Sequence, residues 1–499
     1  MNEVRAMKTH FSSSFFLSLK RIFSSVPFYV LLFAMLRLYG ITNPPLETGH
    51  NWRQVTGLMV ARNFYETDAN IFYPRVDDCG DHTGIVAMEF PSLNYLHFLL
   101  SKLFGFRDWY GRLINLAVSS LGVIFFAKLL QLIGFSRKAV LLSSLFLLSS
   151  VWFSFSRKMM PDTYCISLMF IGMYYAGRYL QQGRLFHLAL YLLLASLAAL
   201  SKIPAAIYFI YLVPLLFSRI IDRTRLRTLI IASVVPVVLT LLWYFGWNQK
   251  LVHDYHNWYN TGVPFLFGIK DAARHLPQIL HRFCFDGFFG YIGFSLFVAG
   301  LVIMFIRRDC KMMRLFLYPF AVFVLYIIKS GSNFYDQNYY MIPFVPVMAV
   351  VAAYALTSVR LKWVVPLLSA AVVTEGIANQ HQDFVLKNEA CYLLKLENVM
   401  DKCSTRQDII IVNGDGNGQM LYFAHRKGWS CSGNEVAEKI RVQSHFTHDS
   451  KVRCFVVLDK NKPSVPSFEL PVVYEDGNFI VYACLSEKEK MDFSKCSRA

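Results

Sequence analysis

Long apolar segments alternate along this 499-residue chain with short connections carrying Lys and Arg, and this alternation limits the available folds more than any single motif. A helix needs roughly 20 mostly apolar residues to cross a bilayer. Eleven segments fit, at about 25–42, 110–134, 138–155, 161–181, 186–201, 203–219, 227–247, 287–307, 312–329, 340–358 and 362–379. Only 17% of the residues are charged, against about 25% in soluble domains, and 55% are hydrophobic. The chain therefore reads as an all-α polytopic membrane bundle of about 11 transmembrane helices.

The basic residues sort by connection. Lys20 and Arg21; Arg137 and Lys138; Arg184; Arg219, Arg223, Arg225 and Arg227; Arg307, Arg308 and Lys311; and Arg360 and Lys362 fall on every second connection. Short basic connections mark the cytoplasmic side. The net charge of +17 is then largely topological, and no nucleic-acid partner is implied. The basic N-terminus, "MNEVRAMKTHFSSSFFLSLKRIFSS", leads into an apolar run without a small-residue cleavage site, which predicts a retained signal anchor with its N-terminus in the cytoplasm. The other side receives a long loop from about 43 to 109, the "SRKMMPD" and "LSKIP" turns, a loop from about 248 to 286, and "SGSNFYDQN". Because eleven is odd, the tail lands there too. Residues 1–379 thus form the transmembrane domain with its long first loop, and residues 380–499 an extracytoplasmic domain.

That tail has the pattern of a small soluble α/β domain. "DIIIVNG" and "KVRCFVVLD" predict strands, and "PVVYEDGNFIVYACL" predicts two strands about a turn at Asp476 and Gly477. "GDGNG" lacks the full spacing of a nucleotide-binding loop and is better taken as an ordinary turn into the helix of "QMLYFAHRKGW". Six cysteines (Cys391, Cys403, Cys431, Cys454, Cys484 and Cys496) lie in this tail and Cys79 in the long loop; their spacing assigns no pairing. No internal repeat is present.

Polar groups that positive-inside charge does not explain gather on the side of the long loop. They are Glu47, His50, Arg53, Gln54, Arg62, Asn63, Arg75, Asp77, Asp78 and Glu89 in that loop, Arg157, Lys158 and Asp162 at the next turn, Lys202, and then Asp336, Gln337, Tyr339 and Tyr340. Ionisable groups beside apolar helices are costly and are functional candidates by default. Plainer roles compete. Asp162 after Pro161 suits a helix N-terminus, Lys202 and Arg157 suit snorkelling, and Asp77, Asp78 and Asp81 around Gly80 suit a solvated turn. Val55, Met59 and Arg62 at helical spacing predict an amphipathic helix over 52–65 lying along the interface.

One carboxylate and several cations at a membrane surface suit the transfer of a sugar from a polyprenyl phosphate to an acceptor hydroxyl. The phosphate departs without a general acid, the acceptor needs a base, and the charge gathering on the phosphate needs cations.

The sequence also resembles the GT-C superfamily, in the family related to protein O-mannosyltransferases and the lipid A aminoarabinose transferase. The matching stretches are "HNWRQVTGLMVARNF" after an acid, "YPRVDD", "EFPSLNYLHFLLSKLFG", "SRKMMPDTY", "LAALSKIP" and "NYYMIPFVPVMAV", over roughly the first 360 residues. The resemblance implies a GT-C bundle in a bacterial inner membrane, a lipid-phosphate-sugar donor, inverting transfer, and a first outer loop carrying the catalytic acid. Glu47 then matches the base and Asp162 the second acid. Arg157 and Lys202 match cations near the donor phosphate, with Arg53 grouped beside them. His50, Gln54, Glu89, Tyr339 and Tyr340 match cavity and acceptor positions. Glu47 stands without the adjacent acid common in the family, so Asp77 and Glu89 remain alternative bases. The implied partners are a polyprenyl-phosphate-linked sugar, membrane lipids and a lipid, glycan or protein acceptor; no cofactor is fixed by the sequence, and a divalent cation is admitted. The rival expectations are a transporter or flippase of lipid-linked glycans and a non-catalytic envelope assembly protein.

Overall fold

The computed structural model describes residues 25–217, 222–259, 262–443, 453–462 and 466–484; the expected signal anchor with Lys20 and Arg21, together with Arg219 and Cys496, lies outside them. The chain divides into two compact units. One comprises Met1–Thr42, Trp109–Phe245 and Asn260–Phe384, and the other Asn43–Asp108, Gly246–Tyr259 and Val385–Ala499. The loop 43–109, grouped on sequence with the membrane helices, thus clusters with the tail.

The first unit is helical. Among the described residues, three helices are long and apolar enough to cross a membrane, Tyr110–Leu132, Arg223–Tyr255 (its last residues, from Gly246, counted with the second unit) and Cys310–Ser330, and a fourth span forms if Leu276–Asp286 and Tyr291–Ile306, bent by 101°, count as one. This corrects the eleven spans. Val26–Arg37 has 12 residues and Val345–Thr357 has 13, which at 1.5 Å per residue falls short of a core about 30 Å thick. Residues 203–219 begin as the 3-10 helix Ile203–Leu212. Pro161–Gln182 is long enough at 22 residues, but Tyr164, Tyr174, Tyr175, Tyr179, Gln181 and Gln182 dilute its apolarity. The span expected at 138–155 breaks in two, because Ser150 takes an extended conformation between Arg137–Ser149 and Trp152–Phe155.

In the second unit a five-stranded sheet runs in the order β2-β1-β3-β5-β4. β1 (Ile409–Val412) pairs in parallel with β2 (Lys427–Ser430) and β3 (Cys454–Asp459), while β5 (Phe479–Cys484) is antiparallel to β3 and to β4 (Val472–Glu475). Ile410, Ile411 and Val412 are fully buried, and each such side chain contributes roughly 1.5–3 kcal/mol over leaving it exposed. The strands expected from "DIIIVNG", "KVRCFVVLD" and the hairpin are all present; β2 was not foreseen. Asp476 shapes the hairpin, its Oδ1 accepting from Asn478 N and Phe479 N at 2.7 Å. "GDGNG" is the turn into the Gln419–Ala424 helix, with Asp415 at φ 54° and Gly416 at φ 72°.

The long loop is stitched to this sheet through the backbone. Gly428 N donates to Asp77 O at 3.0 Å, and the amides of Cys79 and Gly80 donate back to Gly428 O at 3.0 and 2.7 Å. The Asn51–Glu66 helix is buried along most of its length, from Gln54 through Phe64, which corrects the expectation of an amphipathic helix on the membrane surface. Its polar side chains look inward to partners. Arg62 donates to Asp77 at 2.7 Å and to Tyr422 O at 3.0 Å, and Asn63 donates to Asp77 at 2.8 Å.

Candidate functional site

The "SRKMMPD" turn is wholly buried up to Met160, and the sequence supplies dedicated groups to hold its backbone. Asn115 Nδ2 donates to the carbonyls of Phe155, Lys158 and Met160, at 3.1, 2.8 and 3.2 Å, and Thr163 Oγ1 donates to Asn115 Oδ1 at 3.1 Å. Gln380 repairs the helix break just before it. Its Nε2 donates to the carbonyls of Ser149, Ser150 and Gly376, and its Oε1 accepts from Ser154 N. Each buried polar group left unpaired would cost about 1–3 kcal/mol, so these two amides fix the turn that leads into Asp162. Within it, Lys158 donates to Asp383 at 3.0 Å, and the Arg157 guanidinium lies 4.6 Å from the Phe384 ring.

Asp162 stands in the first turn of Pro161–Gln182, where Pro161 needs no amide partner and the helix dipole favours a carboxylate. Its Oδ1 accepts from Lys202 Nζ, and its Oδ2 has no hydrogen-bond partner among the described residues. Lys202 follows Leu185–Ser201 in extended conformation, which turns its side chain away from the helix axis. Its ammonium sits 4.9 Å from the Tyr339 ring centroid and 5.5 Å from that of Tyr340. Tyr340 in turn stacks on Tyr326 at 5.7 Å, and Tyr339 leans on Phe155 at 5.7 Å. Four sequence candidates, Asp162, Lys202, Tyr339 and Tyr340, are therefore brought together. An ammonium shared between a carboxylate and two ring faces can exchange one anion for another.

The second unit gathers the rest. Glu47 is fully buried and its backbone is pinned to the start of the tail. It forms an antiparallel bridge with Leu386, and Thr48 N donates to Val385 O and Lys387 N to Leu46 O, at 3.0 and 2.9 Å. His50 takes a left-handed backbone, φ 54°, just before the Asn51–Glu66 helix, and Gln54 is buried one turn on. Arg53 pairs with Glu89. The alternative base Asp77 is locked between Arg62 and Asn63, an architectural role. The solvated-turn expectation fails for Asp77, which is buried, and for Asp78, which accepts from Ser430 N at 3.2 Å and whose carboxyl burial pushes up to about 6. It holds for exposed Asp81.

The groups that sequence reasoning missed are Asn115, Gln380 and Asp383. A lone Asn inside an apolar helix was the available signal for Asn115, whereas the pairing of Lys158 with Asp383 crosses 225 positions and leaves no local trace. Among the described residues, no three or more His, Cys, Asp and Glu side chains are grouped as a metal site.

A helical part with a buried acid–lysine pair at a helix start, and a mixed-sheet unit that takes in the first long loop and the tail, make a fold similar to those of the solved membrane-protein structures that follow. The family described as dolichyl-phosphate-mannose-protein mannosyltransferase matches residues 87–245. Among solved structures, ArnT from Cupriavidus metallidurans bound to undecaprenyl phosphate is similar at a TM-score of 0.57 and 13% identity, over 92% of this chain and 98% of that one. Its apo state gives 0.56 and 12%, with the same coverage. The oligosaccharyltransferase AglB from Archaeoglobus fulgidus, in complex with an inhibitory peptide and a dolichol-phosphate, is similar at 0.54 and 12%, over 87% of this chain and 69% of that one. No curated protein matches the chain in a sequence search.

Proposed function

We propose that the protein is a membrane glycosyltransferase that moves a sugar from a polyprenyl-phosphate donor to an acceptor hydroxyl, inverting the anomeric carbon, at the extracytoplasmic face of a bacterial inner membrane. The observation that carries this reading is the Asp162–Lys202 pair. One oxygen of the carboxylate is uncommitted, and the lysine is held by an ion pair and two aromatic faces that a phosphate can replace. The likeness to ArnT, solved with undecaprenyl phosphate, and to AglB, solved with a dolichol-phosphate, supports the donor class.

In this reaction the acceptor oxygen bonds to the anomeric carbon as the bond from that carbon to the phosphate oxygen breaks. The bonding pair leaves with the phosphate, and the hydroxyl proton passes to a carboxylate. Glu47 is the proposed base and Asp162 the second acid, which orients the acceptor. Lys202 balances the phosphate charge, and as it turns to the phosphate it releases Asp162 Oδ1. Arg53 and Arg157 are further donor cations, and His50, Gln54, Glu89, Tyr339 and Tyr340 shape the acceptor side.

Mass spectrometry of surface glycans tests the proposal. A strain lacking the protein should lose one sugar modification, restored by the wild type and not by Asp162→Asn present at equal level. Unchanged glycans in the deletion strain would end it.

A further inference from the structure

The helical unit holds a cavity of about 700 Å³ in whose wall Asp162, Lys202, Arg157 and the tyrosine pair take no part. Its volume falls inside the roughly 300–1,000 Å³ of ligand sites. Phe126, Leu130, Phe170, Met173, Leu212 and Leu315 give it an apolar shaft. The shaft is walled by the second halves of Tyr110–Leu132 and Pro161–Gln182, the first turns of Arg223–Tyr255 and Cys310–Ser330, the end of Ile203–Leu212 and the start of Val345–Thr357.

At the mouth the chemistry changes. Among the described lining residues, Arg225, Lys311 and Arg314 stand there with one carboxylate, Asp222, and Asp309 acts on Lys311 from just outside the lining, so three cations face two acids. These cations rest mainly on backbone carbonyls. Arg225 donates to Gln181 O at 2.8 Å, Lys311 to Ile133 O at 2.7 Å, and Arg314 to Cys310 O at 3.1 Å. Carbonyls orient a cation without cancelling its charge. Asp222 lies 3.8 Å from Arg225 and spends one oxygen on the amides of Thr224 and Arg225. The mouth is therefore net positive and belongs to the end of the bundle that carries the short basic connections.

We infer that this cavity is a binding site for an anionic phospholipid, one acyl chain lying in the shaft and the phosphate held by Arg225, Lys311 and Arg314. Charge complementarity selects the occupant, since a zwitterionic lipid offers the three cations a cancelled charge and a water-soluble anion has no use for an apolar shaft. Basic pockets between membrane helices bind acidic headgroups for this reason. The inference rests on the helical unit and is independent of the transferase proposal.

The test uses the full chain purified in detergent and native mass spectrometry with added phosphatidylglycerol or phosphatidylcholine. Wild type should retain phosphatidylglycerol roughly tenfold or more over phosphatidylcholine, and Arg225→Gln/Lys311→Gln/Arg314→Gln should lose that preference. Leu315→Trp, which fills the shaft and keeps every charge, should lose the lipid as well. Equal retention of the two lipids by wild type, or undiminished phosphatidylglycerol on the Leu315→Trp protein, would overturn the inference. Displacement of phosphatidylglycerol by an equimolar prenyl phosphate would overturn it too, by giving the cavity to the donor's tail.

Discussion

Lys202 and Asp162 are forty positions apart in the chain, yet the lysine ammonium donates to the aspartate carboxylate while facing the rings of Tyr339 and Tyr340. That geometry makes the lysine the group a phosphate would recruit. A hydrogen bond to a charged group is worth about 1.5–3 kcal/mol, or roughly 10- to 100-fold in affinity. Lys202→Met should therefore raise the KM for the lipid-phosphate donor by that factor and change the acceptor KM far less. Steady-state kinetics varying each substrate will separate the two, and an acceptor-side defect alone would refute the assignment.

Glu47→Gln keeps the size and hydrogen-bonding shape of a fully buried side chain and removes its basicity. Transfer should fall by about 10²–10⁴-fold, the range for a lost general base, with donor binding nearly unchanged. Turnover close to wild type, measured beside donor binding by calorimetry, moves the base elsewhere.

Gly80 is required by geometry. Its φ is 62°, and a Cβ there would come within 2.2 Å of the Trp429 indole. Gly80→Ala should weaken the junction between the long loop and β2, lowering stability by about 1–3 kcal/mol. Thermal melting in detergent would register it as a lower Tm, and an unchanged Tm would show that the indole moves aside freely.

His425 gives the second unit a pH dependence. Its Nδ1 faces Glu397 at 2.9 Å and its Nε2 faces Glu66 at 2.8 Å, with Arg406 paired to Glu397 and Arg62 also close enough to act on it. Burial opposes the imidazolium, but the two carboxylates outweigh it and raise the histidine pKa. The hydrogen bond from His425 is the main reason Glu397 is held down at about 2. The raised group stabilises fully below its unfolded pKa of about 6.5 and loses that contribution as pH rises through the folded value. The depressed one stabilises above about 4.5 and fails as pH falls towards 2. Tm should rise between about pH 8 and pH 6 and the rise should shrink in His425→Asn, which tolerates the left-handed backbone at φ 53°. A slope unaltered by the substitution would remove the histidine from the account.

The strands β1 and β3 were visible in the sequence because "IIIV" and "CFVVLD" are dense in β-branched and aromatic residues between polar punctuation. β2 was not, since "KGWS" has neither alternation nor β-branching and owes its conformation to Ile409–Val412 beside it. The Asn51–Glu66 helix was placed correctly and oriented wrongly. Arg62 and Asn63 looked like a wetted face, but Asp77 and Tyr422 O, their partners, come from other segments of the chain. Hydropathy likewise overcounted the spans, because a window average is blind to the backbone turning at Ser150. In the candidate site, the residue types at 162, 202, 339 and 340 were readable, while their mutual contacts were not.

The second unit draws its material from three places, 43–108, 246–259 and 385–499. A globule cannot be threaded through lipid, so all three pieces belong to the same compartment. The intervening stretches, 109–245 and 260–384, must then each make an even number of passes through the bilayer, however many of their helices are short or broken. That parity is a checksum on any topology drawn for this protein, and one glycosylation tag in each of the three pieces is enough to read it.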